Sequence, residues 1–183
     1  MLLDRTRAQL LVVDVQDRLL PAMHEGDAMV ERCAVLMQAA QRLGIPVTVS
    51  EQYRKGLGAT VARLDNIKGD AVVMEKMHFS CAADPAMADH IGGISRSGRN
   101  QLVICGIEAH VCVTQTALGF KAMGLAVTVI ADAVTSRRPE SVRTATDRLS
   151  AAGVTLANTE MAVFEWLHRA GTPEFKELSK LIK

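Results

Sequence analysis

Aromatic residues are scarce in this sequence, and neither sign of charge is in excess. Aromatic residues make up 3% of the 183 residues, so the chain offers few platforms on which nucleic-acid bases could stack. The 21 Lys and Arg residues nearly balance the 20 Asp and Glu residues, giving a formal net charge of +1. Such a balance provides no electrostatic attraction to nucleic acid or to an anionic membrane surface. We therefore expect no nucleic-acid partner.

Long apolar runs and paired cysteine motifs are also missing. No apolar stretch approaches the roughly 20 residues that span a bilayer, so we expect no membrane partner. The four cysteines, Cys33, Cys81, Cys105 and Cys112, show no C-x-x-C spacing, which disfavours a zinc knuckle or a dithiol redox motif. The first apolar run ends in acid and is typical of a strand rather than of a secretory signal. The sequence therefore predicts free thiols and a cytoplasmic location.

Short apolar runs alternate with helical patterns along the whole chain. The predicted strands span residues 8–15, 46–50, 71–76, 101–106, 126–132 and 154–157. The predicted helices occupy residues 27–43, a short segment between 84 and 92, residues 111–123, residues 139–153 and the remainder to 183. This alternation predicts a parallel sheet with helices on both faces. The expected fold class is α/β, a three-layer α/β/α sandwich, with residues 1–183 forming a single domain.

Side chains capable of chemistry follow three of the predicted strands. Asp14 ends the first strand, Lys76 ends the third, and Cys112 follows the fourth at the start of a helix. Because ligands of such sheets bind outside the carboxyl ends of the strands, we expect these side chains to meet at one edge. Each of them alone is more often a cap, a surface lysine or a core thiol. Together they suggest an activated nucleophile.

The charges of Asp14 and Lys76 act on the Cys112 thiol in opposite directions. Two unit charges about 4 Å apart interact by roughly 4 kcal/mol at an effective dielectric constant of 20, which corresponds to about three pKa units. A cation and a helix N-terminus together can therefore outweigh one carboxylate. We expect a Cys112 pKa below the usual thiol value of about 8.5. Asp14 would accept the thiol proton and later return it to a leaving group.

Three motifs, in this order, resemble those of a known family. They are VVDVQ (12–16), EK (75–76) and CGIEAHVCVTQTA (105–117). They are similar to the isochorismatase-like cysteine hydrolases, a superfamily that contains nicotinamidases and N-carbamoylsarcosine amidase. The stretches SEQYRKGLGATVARLD (50–65), EKMHFSC (75–81) and PEFKELSKLIK (173–183) resemble the narrower isochorismatase domain-containing group. The resemblance covers nearly the whole chain.

The resemblance implies a strand order and a set of site residues. It implies a six-stranded parallel sheet in the order 3-2-1-4-5-6, and it identifies Asp14, Lys76 and Cys112 as the catalytic triad. It also implies a cis peptide bond between Ile107 and Glu108, with an oxyanion hole formed by the backbone N–H groups of Glu108 and Cys112. Relatives assemble as dimers or larger homo-oligomers, so a homo-oligomer is expected here.

Two departures from the family pattern narrow the predicted activity. Metal-binding nicotinamidases carry an aspartate and histidines after the second strand, whereas this sequence has Gln52 and Arg54 there. We therefore predict no metal and no other cofactor, and nicotinamidase activity is disfavoured. Isochorismatases proper hydrolyse a vinyl ether and need no cysteine nucleophile, so Cys112 argues against that reaction.

The glycine-rich, basic segment YRKGLGA (53–59) lacks the residue order of a phosphate-binding P-loop. We interpret it as a mobile loop at the rim of the site. The residues predicted to line the substrate pocket are Gln16, Tyr53, Arg54 and Phe79.

The sequence thus predicts a metal-independent cysteine hydrolase that cleaves a small amide or a related acyl compound, an EC 3.5-type amidase. Cys112 would attack the carbonyl carbon, Asp14 would carry the proton, and Lys76 would stabilise charge before water releases the product from a thioester. Two alternatives stay open, a catalytically silent binding scaffold of the same fold and a nicotinamidase-type amidase. A dinucleotide-binding oxidoreductase is disfavoured because no G-x-G-x-x-G turn follows the first strand.

Overall fold

A computed structural model describes residues 1–182 of the protein, and its centre is a six-stranded parallel sheet. The strands are β1 (Ala8–Val13), β2 (Val47–Gln52), β3 (Val72–Lys76), β4 (Gln101–Ile107), β5 (Ala126–Thr135) and β6 (Thr155–Ala157). They lie in the order β3-β2-β1-β4-β5-β6. The predicted α/β class and the strand order 3-2-1-4-5-6 are both confirmed.

Helices cover both faces of this sheet. They are α1 (Gly26–Arg42), α2 (Arg54–Leu57), α3 (Ala62–Asp65), α4 (Pro85–Arg96), α5 (Thr114–Ala122), α6 (Pro139–Ala151), α7 (Thr159–Leu167) and α8 (Pro173–Leu178). The apolar sides of α1 and α7 pack on one face, and those of α4, α5 and α6 pack on the other. β1 lies inside the sheet with all its residues buried, which explains its continuous apolar sequence. Within residues 1–182, none of the helices combines the length and the apolar character needed to cross a membrane.

Three differences from the predicted elements have a local origin. β1 ends at Val13, earlier than predicted, because Asp14 takes a positive φ of 52° that a strand cannot continue. The segment 53–59, interpreted as a mobile loop, contains the single-turn helix α2. The C-terminal remainder forms two helices. α7 ends at Leu167, because the next residue, His168, has a positive φ of 62°, and α8 begins at Pro173.

Gly106 lets the carboxyl ends of β1 and β4 approach each other. It pairs with Val13 in the parallel ladder and has a φ of 111°, which L side chains rarely adopt. A Cβ atom built there would lie 2.1 Å from the carbonyl oxygen of Val13. The register between β4 and β5 also shifts beside Gly106, and β5 continues to Thr135, beyond its predicted end. The approach brings Asp14, which follows Val13, toward the segment after β4 that carries Cys112.

The close approach at Gly106 can be separated from its backbone conformation by a matched pair of substitutions. Gly98 has a similar φ of 103°, but no atom lies within 4 Å of its Cβ position. We expect Gly98→Ala to lower the free energy of unfolding by about 1–3 kcal/mol through strain alone. Gly106→Ala adds a clash with backbone and should cost at least about 3 kcal/mol more. Urea unfolding measures both, and equal losses would show that the β1–β4 approach is not tight.

Candidate active site

The carboxyl ends of β1 and β3 bring Asp14 and Lys76 into a buried ion pair. The Lys76 Nζ atom lies 2.7 Å from the Asp14 Oδ2 atom, and neither side chain is exposed to solvent. β2 separates the two strands, so the bond spans two strand spacings, about 9–10 Å. A lysine side chain has the length to cross that distance, which explains why the cation comes from the outermost strand.

Both carboxylate oxygens of Asp14 are occupied. The Ser50 hydroxyl donates to Oδ1 at 2.7 Å, while Lys76 donates to Oδ2. The backbone N–H of Asp14 donates to the Ser50 carbonyl oxygen at 3.1 Å. Ser50 lies on β2 opposite Val13, so the neighbouring strand fixes the carboxylate through backbone and side chain at once.

The Lys76 ammonium uses all three of its donors. Besides Asp14, it donates to the side-chain oxygen of Gln52 at 2.9 Å and to the carbonyl oxygen of Phe79 at 3.3 Å. Gln52 is itself held in place, because its Nε2 donates to the Met77 carbonyl oxygen and its backbone N–H donates to Gln16 Oε1. The ammonium therefore has one defined position.

Cys112 lies in a π-helical turn, Ala109–Val113, rather than at the start of an α-helix as predicted. The wide turn is closed by a bond from the Val113 N–H to the Glu108 carbonyl oxygen at 3.2 Å. The peptide bond between Ile107 and Glu108 is cis, as the family resemblance implied. Cys112 retains 7% exposure, more than Asp14 or Lys76, so it is the least enclosed of the three residues.

The pKa of the Cys112 thiol is raised, not lowered as the sequence led us to expect. Burial is the largest cause; the Asp14 carboxylate raises the pKa further by its charge and by a hydrogen bond, whereas Lys76 lowers it. Lys76 does not prevail because its charge is already paired with Asp14. The resting residue is therefore a thiol beside a carboxylate that can accept its proton.

The four predicted pocket residues fall into two groups. Tyr53 and Phe79 are about half exposed, and both flank Lys76, since the Tyr53 N–H donates to the Lys76 carbonyl oxygen. Arg54 is exposed and forms an ion pair with Glu51 at 3.1 Å. Gln16 is fully buried, and its amide nitrogen donates to backbone carbonyl oxygens of Gln52 and Gly58. Gln16 therefore holds the end of β2 and the loop at Gly58 together, and its predicted role in lining the pocket stays a prediction.

Sequence reasoning missed two neighbours of the ion pair. Ser50 was only the last residue of a predicted strand, and its pairing with β1 was the signal that could have identified it. Cys81 lies near Lys76 and Asp14, and burial raises its pKa to about 11. Its backbone N–H donates to the Thr116 hydroxyl at 2.9 Å, which joins this segment to α5. Within residues 1–182, no three His, Cys, Asp or Glu side chains are grouped so that they could hold a metal ion.

Comparison with protein families and curated sequences gives consistent matches. The family model described as the isochorismatase domain matches residues 8–161. The secreted isochorismatase effector Isc1 of Phytophthora sojae is 35% identical over 177 residues, covering 95% of this chain and 83% of that protein. Isochorismatase domain-containing protein 1 of Danio rerio is 36% identical over 170 residues, covering 93% of this chain. This chain spans only 59% of the Danio rerio protein's length.

Solved structures match the whole architecture. The structure described as MAR1 ribonuclease from Caenorhabditis elegans has a TM-score of 0.91 and 32% identity, covering 100% of this chain and 92% of that one. The Escherichia coli YcaC structure, described as an octameric hydrolase of unknown specificity, has a TM-score of 0.91 at 24% identity, covering 99% and 90%. At that identity the likeness to YcaC concerns the fold alone.

Replacing Asp14 by Asn should make Cys112 more reactive toward a simple electrophile. The change removes a charge that raises the pKa of the Cys112 thiol and leaves the Lys76 ammonium, which lowers it. Asn also tolerates the positive φ at this position. We expect iodoacetamide at pH 7 to alkylate Cys112 about tenfold faster or more in D14N, because each pKa unit changes the thiolate fraction about tenfold. Peptide mass spectrometry measures the rate at each cysteine.

The matched control is Glu51→Gln, which removes another buried carboxylate at a strand end. Glu51 is bound to Thr60 and Arg54 and is not among the main groups that shift the Cys112 pKa. Its substitution should leave the Cys112 alkylation rate unchanged. A D14N variant alkylated no faster than the wild type would contradict the electrostatic balance described above.

Proposed function

Because this chain belongs to the isochorismatase family and has its hydrolase fold, we propose that it is a metal-independent cysteine hydrolase of small amides or related acyl compounds. The observation that carries the proposal is the fully buried, fully hydrogen-bonded Lys76–Asp14 pair, whose carboxylate raises the pKa of the Cys112 thiol. A cysteine whose pKa is strongly perturbed by burial and by a specific charged partner is a candidate functional residue.

In the proposed reaction, Asp14 takes the thiol proton as the Cys112 sulfur attacks the carbonyl carbon. The resulting oxyanion accepts hydrogen bonds from the backbone N–H groups of Glu108 and Cys112. Asp14 then passes its proton to the departing nitrogen, so the C–N bond breaks and a thioester remains. A water molecule attacks the thioester, giving its proton back through Asp14, and the carboxylic acid leaves the regenerated thiol.

The raised pKa of Cys112 gives this mechanism a specific property. A protonated resting thiol reacts slowly with stray electrophiles, because the thiolate is the nucleophilic form. Proton transfer to Asp14 and attack on the carbonyl would occur together once a substrate is bound. Lys76 would stabilise the Asp14 carboxylate before it takes the thiol proton and again after it has passed that proton to the leaving nitrogen.

Other activities have weaker support. A nicotinamidase-type amidase and a silent scaffold are the alternatives that share this fold. Gln52 is bound to Lys76 and is not free to help hold a metal, which disfavours a metal-dependent nicotinamidase.

The description of the C. elegans structure as a ribonuclease raises RNA cleavage as a second candidate. Incubation with single-stranded RNA separates the two, since cleavage that persists in Cys112→Ala would favour the second. A cytoplasmic location and a homo-oligomer stay predictions, and E. coli YcaC is described as octameric.

Cys112→Ala should lower the turnover of any amide substrate at least about 10³-fold while the fold is kept, because the attacking atom is lost. Cys33→Ala is the matched control, since Cys33 is fully buried but belongs to the core on the opposite face of the sheet. It should retain activity. Screening an amide library for ammonia release, with acid quenching and mass spectrometry of Cys112, measures turnover and the acyl adduct. Amide turnover that survives Cys112→Ala would refute the proposal.

Ser50→Ala should lower kcat about tenfold with little change in KM, because the Asp14 carboxylate loses the hydroxyl that fixes its Oδ1 atom. Thr48→Val on the same strand is the control. Thr48 is buried as well, but its hydroxyl contacts His90 instead of Asp14. Steady-state kinetics on the best amide compare the two variants, and equal kcat values for both would remove Ser50 from the positioning of Asp14.

A further inference from the structure

We propose that a cavity beside the Cys112 turn binds a carboxylate of the substrate, so that the amide cleaved is an acidic one; this inference rests on the proposed function. The cavity has a volume of about 380 Å³ and is lined by His110, Arg137, Arg138 and Ser141. We refer to it as the arginine cavity.

The residues that line the arginine cavity are linked to those of the proposed oxyanion hole through the turn after β4. His110 belongs to the same π-helical turn as Cys112. The Glu108 carboxylate accepts hydrogen bonds from Arg137 through its backbone N–H at 3.2 Å and through Nε at 3.0 Å. Arg137 is therefore held by the residue whose backbone N–H would bind the oxyanion. A carboxylate in the cavity would lie on the Glu108 side of the reacting carbonyl group.

The lining of the arginine cavity is positively charged and has unused donors. Within residues 1–182, the terminal nitrogens of Arg137 and the whole guanidinium group of Arg138 have no hydrogen-bond or ion-pair partner. Glu108 compensates one of the two charges, and no carboxylate lines the cavity itself. Guanidinium groups bind carboxylates through two parallel hydrogen bonds, which gives orientation as well as affinity. His110 Nδ1 lies 2.9 Å from the Ser136 hydroxyl, and that contact fixes the imidazole ring.

Two larger cavities lack this charge pattern. One, of about 480 Å³, is lined by Arg5, Arg7 and Arg169 but also by three carboxylate side chains. The other, of about 610 Å³, combines Arg32 and Arg143 with Glu25 and Asp132. Neither has the excess of positive charge that would select an anion. The arginine cavity has it, and His110 in its lining shares the π-helical turn of Cys112.

A pair of electrophiles that differ only in charge tests the proposal. N-chloroacetylglycine carries a carboxylate, and N-chloroacetylglycinamide carries a neutral amide in its place. With either compound, the Cys112 sulfur forms a bond to the methylene carbon, chloride departs, and the thiol proton is released to solvent. Alkylation of Cys112 is measured by peptide mass spectrometry at pH 8, and each rate is divided by that of free cysteine. We expect the acid to react about tenfold faster than the amide.

Three variants show whether the arginines cause this preference. Arg138→Ala should reduce the acid-to-amide ratio about threefold, which corresponds to about 0.7 kcal/mol. The double variant R137Q/R138A should reduce the ratio to about one. Arg143→Ala removes an exposed arginine of α6, the helix that begins directly after Arg138; Arg143 does not line the arginine cavity, so this variant should retain the preference.

The outcomes separate this proposal from the proposed function. A ratio near one in the wild type, or a preference that survives R137Q/R138A, would overturn the carboxylate site whatever the protein turns over. If the acid-to-amide ratio is near one and neutral amides still form a thioester on Cys112, the proposed hydrolase function is kept and the proposed preference for acidic substrates is refuted. A preference lost with the arginines supports the site even if no amide in the library is hydrolysed.

Discussion

The ion pair between Lys76 and Asp14 is the contact around which the ends of β1, β2 and β3 are arranged. Two charges removed from water are tolerated only when the pair is close and the remaining hydrogen-bonding capacity is used. Both conditions hold, because Ser50 takes the second oxygen of Asp14 while Gln52 and the Phe79 carbonyl take the other protons of Lys76. The segment after β3 must fold back over the ammonium to provide that carbonyl. It thereby places the ring of Phe79 at the rim.

The sequence was sufficient to place Asp14, Lys76 and Cys112 at one edge of the sheet, because parallel strands end on the same side. The strand order came from the family resemblance, since alternation of strands and helices does not determine it. Ser50 escaped notice because a serine at a strand end is ordinary until the strand beside it is known. The π-helical turn escaped notice because a single wide turn leaves no repeating pattern in the sequence.

The direction of the Cys112 pKa could not be obtained from the sequence. It depends on how deeply the Cys112 sulfur is buried and on whether the Lys76 charge is free or already paired, and both follow from the three-dimensional arrangement of the side chains. Assigning one charge to Lys76 and one to Asp14 treated them as independent neighbours of the thiol. In the fold they neutralise each other first, so burial decides the result. The same three residue types would give a thiolate if the lysine pointed at the sulfur alone.

β3 is one of the two edge strands of the sheet; among residues 1–182 it pairs with β2 alone, and its Val72 is 44% exposed. Edge strands are usually the first part of a sheet to fray. If β3 frayed here, the Lys76 ammonium would move away and leave the Asp14 carboxylate buried without a partner. Breaking a buried ion pair in this way costs about 3–5 kcal/mol. The ion pair of Lys76 with Asp14 therefore opposes fraying of the edge strand β3. The rate of hydrogen exchange of the β3 amides would then report whether the ion pair with Asp14, at the end of β1, is intact.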